Sequence, residues 1–213
     1  MIAADTLIDR YGYCARHGIP VAVNTACVDC VGDKPDVVPA RRLNVGCGQY
    51  PILYFTNLDE DPRAIADFHQ RVPPIPFEDG SLDEIYCGHF LEHLADPRLF
   101  LLECYRCLAP GGKLGIVVPD TREIMTRWLA GSLDCVEYPE GTWSPVADLD
   151  AVCGLFLYST VQDSRHLWSY DQGTLARAMT RAGFVNLQEI DRYRDPRIPV
   201  GAWYQVGVDG FKP

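Results

Sequence analysis

Arg42-Leu43-Asn44-Val45-Gly46-Cys47-Gly48 is a short apolar run that ends on glycine, a small residue and glycine. It reads as a strand that delivers the backbone into a tight bend. Gly46 and Gly48 permit positive φ and leave no Cβ between the main chain and a ligand lying against it. The next apolar run, Leu53-Tyr54-Phe55-Thr56-Asn57-Leu58, ends on Asp59. A carboxylate at the end of that second strand suits the two hydroxyls of a ribose. Pro51 stands where the dinucleotide fingerprint places its third glycine, which disfavours a pyrophosphate and leaves a nucleoside-like ligand. On these two features alone, a plain βα turn followed by a surface aspartate fits as well.

The chain has 213 residues, enough for one domain with a full core and a small appendage. No stretch approaches the roughly 18 apolar residues of a membrane span, and Met1 to Arg10 lacks the basic-then-apolar layout of a signal peptide. A cytoplasmic protein without a membrane segment is expected. Lys and Arg total 19 against 29 Asp and Glu, a formal net charge of −10, and no window gathers basic residues into a run. Such a surface repels phosphate backbones, which argues against nucleic acid as a partner. Nine cysteines is an odd number, and a reducing compartment makes a disulfide framework a poor reading. Cys47, Cys87 and Cys153 sit singly among apolar residues as small core side chains. Cys104 and Cys107 lie in the amphipathic helical pattern of Leu99 to Leu108, where packing is a better role than redox chemistry.

The remaining cysteines, with one histidine, spell C-x2-H-x9-C-x2-C through Cys14, His17, Cys27 and Cys30. Each two-residue spacing lets both ligands of a knuckle face one ion, so the four are expected to hold a tetrahedral zinc. A closed four-ligand site leaves no position for water, and its role would be structural. The segment resembles small knuckles found in many bacterial and phage proteins. Gly32 to Pro39 reads as a linker. The expected division is therefore a zinc-knuckle-like segment with its linker over residues 1–39 and a second domain over residues 40–213.

Beyond Asp59, Ile65-Ala66-Asp67-Phe68 ends another apolar segment on an acid, and Leu82 to His89 reads as a strand after the turn-rich Pro73 to Ser81. Phe90 to Leu94 starts a helix, Ala109-Pro110-Gly111-Gly112 breaks the next one, and Lys113 to Asp120 is again a strand. Asp171 caps a helix whose stripe is Leu175, Ala178, Met179 and Ala182 and whose stop is Gly183. Strand and helix alternate, which gives an α/β sheet of mostly parallel order.

Five motifs follow in order: Leu43 to Gly48, Asn57-Leu58-Asp59, Pro76 to Asp83, His89-Phe90-Leu91-Glu92-His93-Leu94, and Cys107 to Leu114. Together they resemble a class I S-adenosylmethionine-dependent methyltransferase, from about residue 41 to the C-terminus. The resemblance implies a Rossmann-like seven-stranded sheet, mostly parallel and flanked by helices, with the last strand antiparallel; Val185 to Ile190 and Trp203 to Val208 supply its late strands. It implies that Gly46, Cys47 and Gly48 contact the methionine portion and ribose of the cofactor, that Asp59 binds both ribose hydroxyls, and that Asp67 and the Phe68 backbone meet the adenine. His89 would lie beside the methionine end. One departure stands out: many members carry a further glycine where Gln49-Tyr50-Pro51 stands here, so the first helix starts late or is very short.

Methyl transfer from a sulfonium needs alignment of acceptor and methyl more than a catalytic triad. If the acceptor is a hydroxyl or amine, a histidine suits the removal of its proton, with His89 the first candidate and His166 an alternative. His89 and His93 are four apart with Glu92 between them. The order is not H-E-x-x-H, which favours cofactor contact for His89 and packing or capping for Glu92 and His93. Arg165, His166, Trp168 and Tyr170 are candidate walls of an acceptor pocket, or else part of a lid over the sheet. The expected acceptor is a small molecule or a saccharide-type hydroxyl or amine. The rivals are a related sheet that binds the same cofactor or a nicotinamide for different chemistry, and a noncatalytic scaffold whose zinc knuckle docks a partner.

Overall fold

A computed structural model describes residues 11–14, 20–22, 37–39, 41–131, 136–138, 141–143, 166–198 and 201–213. Its centre is a seven-stranded sheet. Near the N-terminus, β1 (Tyr11–Cys14) pairs antiparallel with both β2 (Pro20–Ala22) and β3 (Val37–Pro39). The stretch expected to be a linker thus ends in a paired strand. Cys14 closes β1, while His17, Cys27 and Cys30 of the expected zinc site lie outside the described residues, as does Cys153.

The central sheet runs through β4 (Arg42–Val45), β5 (Thr56–Asp59), β6 (Phe68–His69), β7 (Leu82–Gly88), β8 (Leu108–Pro119), β11 (Val185–Glu189) and β12 (Gln205–Phe211). Its order is β11-β12-β8-β7-β4-β5-β6. The neighbours from β8 to β6 pair in parallel, whereas β12 is antiparallel to β8 and to β11. This is the mostly parallel sheet with an antiparallel last strand that the motif order implies. A separate hairpin pairs β9 (Val136–Tyr138) with β10 (Gly141–Trp143).

Alternation along the strands divides the core in two. Leu43, Val45, Ile85, Cys87, Leu114, Ile116 and Val118 belong to one cluster, which α1 (Pro97–Cys107) and α3 (Gln172–Arg181) cover with Phe100, Leu101, Cys104, Cys107, Leu175 and Met179. Between these helices, α2 (Thr121–Leu129) follows β8 directly. Tyr86 and Val117 belong to a second cluster with Phe55, Ile190 and Ile198. Burial pushes the Cys104 thiol well up, so this residue and its neighbour Cys107 pack as apolar groups.

Two expectations change. Between β4 and β5 there is no helix: Gly48 and Gln49 turn, Leu53 and Tyr54 turn again, and the chain enters β5 at Thr56. Phe90 to Leu94 forms one turn of 3-10 helix, Leu91–His93, because Asp96 and Pro97 start α1 directly afterwards. No helix among the described residues is long and apolar enough to cross a membrane.

Asp171 caps α3 as expected. Its Oδ1 accepts from the Thr174 amide at 2.7 Å, the Thr174 hydroxyl returns the contact to the Asp171 amide at 2.8 Å, and Arg122 of α2 lies 2.9 Å from Oδ2. The hydrogen bonds from Thr174, then Arg122, hold the carboxyl down to about 2. Asp171→Ala is expected to cost about 1 kcal/mol in urea unfolding at neutral pH. A group whose folded pKa is depressed stabilises above its unfolded value and loses that contribution as pH falls, so the difference between wild type and variant should vanish from about pH 4 to pH 2. A difference unchanged at the acid end would rule out the carboxylate as its source.

Candidate functional site

The glycine bend is held from one side by β5. The amides of Gly46 and Cys47 both donate to the Leu58 carbonyl, at 2.8 and 3.2 Å, and the Gly48 amide donates to Asp59 Oδ2 at 2.8 Å. Asp59 Oδ1 accepts from the Asp61 amide at 2.9 Å. Gly46 has φ +70° and Gly48 φ +50°, and a Cβ on Gly46 would stand 2.4 Å from the Phe90 ring. Only glycine fits at 46. Cys47 lies between them with its thiol buried, and burial followed by the charges of Asp59 and Asp67 pushes its pKa up to about 12. It is a neutral, inert thiol.

Two buried asparagines replace the missing helix. Asn44 Nδ2 donates to Asn57 Oδ1 at 2.9 Å and to the Tyr50 carbonyl at 3.2 Å, and Asn57 Oδ1 also accepts from the Ile52 amide at 2.7 Å. These side chains meet backbone groups that a helix would have satisfied internally. Asp67 joins this brace: its Oδ2 accepts from the Asn57 amide at 2.6 Å. Phe68 pairs with Leu58 in the sheet and tilts its ring against Phe77. Gly46, Cys47, Gly48, Asp59, Asp67 and Phe68 are thus gathered at the carboxyl ends of β4 and β5 and beside β6, where ligands of open α/β sheets bind.

His89 follows β7 with φ +51°, held by its amide on the Val117 carbonyl at 2.8 Å. Its Nε2 lies 2.6 Å from Gln205 Oε1, and its Nδ1 faces Glu92 Oε1 at 3.4 Å. The ring is 39% exposed. Burial pulls its pKa down, but the Glu92 carboxylate facing Nδ1 prevails and raises it. His166 arrives from the other side: the amides of Leu167 and Trp168 donate to the Glu92 carbonyl, and Trp168 Nε1 donates to the Leu94 carbonyl. Its ring then meets that of His93 at 4.7 Å. The two histidines proposed as bases from sequence therefore converge on one buried acid. Glu92, given a packing or capping role from sequence, is their common neighbour, and its adjacency to His93 in the fourth motif was the available signal.

Of the two places open to Tyr170, pocket wall or a segment packed over the sheet, it takes the second. It is 8% exposed, belongs to the core and bridges Asp120. Trp168 remains exposed, and Arg165 lies outside the described residues. A cleft of about 320 Å³ opens beside the bend, lined by Leu58, Asp59, Val72, Phe90, His93 and Leu94 among others. It is mostly apolar with an acid at one edge and an imidazole at another, the mixture of a small-molecule site.

Residues 43–116, from β4 into β8, match the family model described as a methyltransferase domain. The trans-aconitate 2-methyltransferase of Methylobacterium nodulans is 28% identical over 114 residues, which are 45% of this chain and 44% of that protein. The ubiquinone biosynthesis O-methyltransferase of Xanthomonas oryzae pv. oryzae is 32% identical over 116 residues, 44% of this chain and 48% of that one. The chain thus spans less than half the length of these curated relatives. Among solved structures, an S-adenosylmethionine-dependent methyltransferase of Thermotoga maritima, titled a possible histamine N-methyltransferase, shares the fold at TM-score 0.51 and 17% identity, covering 81% of this chain and 82% of its own. The phosphoethanolamine N-methyltransferase 2 of Haemonchus contortus, solved with S-adenosyl-L-methionine, shares it at TM-score 0.51 and 11% identity, covering 81% and 48%.

Proposed function

We propose that this chain transfers a methyl group from S-adenosylmethionine to an oxygen or nitrogen of a small-molecule acceptor, a saccharide-type group included. The observation that carries the reading is Asp59, whose carboxylate is fixed to the glycine bend at the edge of the cleft. A carboxylate offers about four acceptor sites, and the bend and the Asp61 amide use two of them. The free capacity suits a ribose diol, and the Cβ-free, positive-φ backbone at Gly46 and Gly48 suits close approach of the rest of the cofactor. Cys47 contributes backbone beside them, while Asp67 and Phe68 line the adenine end. The cofactor supplies an already activated methyl group on sulfur. The protein's tasks are to bind the two partners, orient them and exclude water. His89 is the group proposed to take the acceptor's proton, with His166 as the alternative. An oxygen acceptor is favoured because one sequence relative is named for an O-methyl transfer.

Cys14, His17, Cys27 and Cys30 are assigned to one structural zinc on their spacing alone. A cytoplasmic setting accords with the free thiols of Cys47, Cys87, Cys104 and Cys107. Calorimetric titration of the purified chain with S-adenosylmethionine, followed by mass spectrometry of acceptors incubated with labelled cofactor, tests the enzyme reading. Saturable binding at one site per chain is expected. No heat at millimolar cofactor would sink it, and binding without any methylated product across acceptor classes would leave a scaffold.

A further inference from the structure

Glu92 is 1% exposed, and neither of its carboxylate oxygens meets a hydrogen-bond donor in bonding geometry. A buried carboxylate left so is costly, and it asks for a cation. Three imidazoles surround it. His89 Nδ1 stands 3.4 Å from Oε1 and His93 Nε2 3.9 Å from the same oxygen, both longer than a charge-assisted hydrogen bond. One donor atom each from Glu92, His93 and His166 all lie within 4.8 Å of one another. His89 Nε2 is held by the Gln205 oxygen at 2.6 Å, which leaves Nδ1 turned toward Glu92.

We propose that Glu92, His93 and His166 bind a divalent transition-metal ion, with His89 Nδ1 available as a fourth donor. Two or three imidazoles with one carboxylate is a zinc-type ligand set. A tetrahedral zinc needs its donors about 3.4 Å apart, so closing on an ion requires the His93 and His166 rings to move inward by roughly 1 Å. The amides of Leu167 and Trp168 on the Glu92 carbonyl hold the segment that carries His166 beside the 3-10 turn. The ligands come from a 3-10 turn and a segment 73 positions later, 166 less 93, which no local motif announces. His93 also lines the cleft that holds Asp59, so the ion borders the space given to cofactor and acceptor. There an ion with an open position would bind an acceptor oxygen and lower its pKa. That last role rests on the methyltransferase reading, whereas the metal site does not.

The test uses the full, untagged chain carrying Cys14→Ser, Cys27→Ser and Cys30→Ser, so that the thiolates of the expected N-terminal site contribute nothing. It is stripped with a chelator and titrated with Zn²⁺ and with Co²⁺. One equivalent of zinc is expected, and cobalt should give visible bands of nitrogen and oxygen ligation without thiolate charge transfer. His93→Ala and His166→Ala should each weaken zinc by about 100-fold or more, while His69→Ala, on the exposed edge strand β6, should leave it unchanged. No metal bound, or binding indifferent to His93 and His166, overturns the proposal. If the serine variant fails to fold by circular dichroism, the cobalt spectrum of the unsubstituted chain decides: thiolate bands alone, with no second equivalent, overturn it as well. S-adenosylmethionine calorimetry on the stripped and zinc-loaded chain is read separately, so failure of the cofactor reading appears there and not in the metal count.

Discussion

Asp59→Asn should weaken S-adenosylmethionine binding about 100-fold, measured by calorimetry, with little change in the urea midpoint. Each hydrogen bond to a charged acceptor is worth about 1.5–3 kcal/mol, and the carboxylate is assigned both hydroxyls of one ribose, so a loss of about 3 kcal/mol follows, or about 100-fold in Kd. Asparagine keeps the size of the side chain and one oxygen for the Gly48 amide, which lies 2.8 Å from Oδ2 in the native bend. Asp59→Ala goes further, because the Gly48 and Asp61 amides both lose their acceptor and the bend loosens. The two roles of Asp59, brace and ligand, are separated by a cofactor analogue lacking one ribose hydroxyl. Wild type should bind that analogue about 10-fold more weakly than the cofactor, and Asp59→Asn should hardly distinguish the two. If Asp59→Asn binds the intact cofactor within threefold of wild type, Asp59 is a brace only.

What the sequence made legible here was whatever is encoded over a few neighbouring residues. The apolar run of β4, the glycines that need positive φ, the acid closing β5, the histidine after β7 and the Asp171 cap each lie within one turn or strand of the residues that define them. Pro51 likewise announced trouble for a helix after the bend, and the chain makes none there. Local reading failed where distant partners decide. Ala109 to Gly112 reads as a breaker, yet it lies inside β8 because Gly111 and Gly112 exchange backbone hydrogen bonds with Lys212 at the other end of the chain. The convergence of His89, His93 and His166 on Glu92 depends on how the segment before α3 docks on the 3-10 turn, which no periodicity reports. The choice between wall and lid stayed open for Tyr170 for the same reason: its aromatic surroundings resemble a pocket wall, but the bridge to Asp120 draws it into the core.

Arg197 has no sequence signal at all, and its replacement is expected to be the most destabilising single change. Its guanidinium, 7% exposed, lies 3.0 Å from Glu84 of β7, 2.6 Å from Asp195 and 3.0 Å from Asp209 of β12, and it stacks over the Tyr86 ring. The absence of a side chain at Gly115 makes room for it, since a Cβ there would stand 2.5 Å from Nη1. One cation thus clamps the parallel β7 to the antiparallel β12 across β8, with Lys113 adding a second contact to Glu84 at 2.9 Å. Arg197→Met keeps much of the apolar stem but leaves Asp195 and Asp209, both largely buried, without their guanidinium, while Glu84 keeps Lys113 and Arg42. Breaking a buried pair in this way costs about 3–5 kcal/mol, a fall in Tm of about 10 °C for a chain of this size. Lysine at 197 restores charge without the fork and should recover only part of that loss. The sign with pH is fixed by Asp195: burial pushes its carboxyl up, but the hydrogen bonds and charge of Arg197 outweigh that and hold it below its ordinary value. Stability from such a group is present above the unfolded carboxylate range and is lost as pH falls, so the gap between wild type and Arg197→Met should be widest near neutrality and shrink below about pH 4. Because β12 begins at Gln205, whose side chain lies 2.6 Å from His89, the same variant should also raise KM or lower kcat at temperatures where it is still folded. A variant with unchanged Tm at pH 7 would show that the carboxylates find other partners and that the clamp is not what joins the two halves of the sheet.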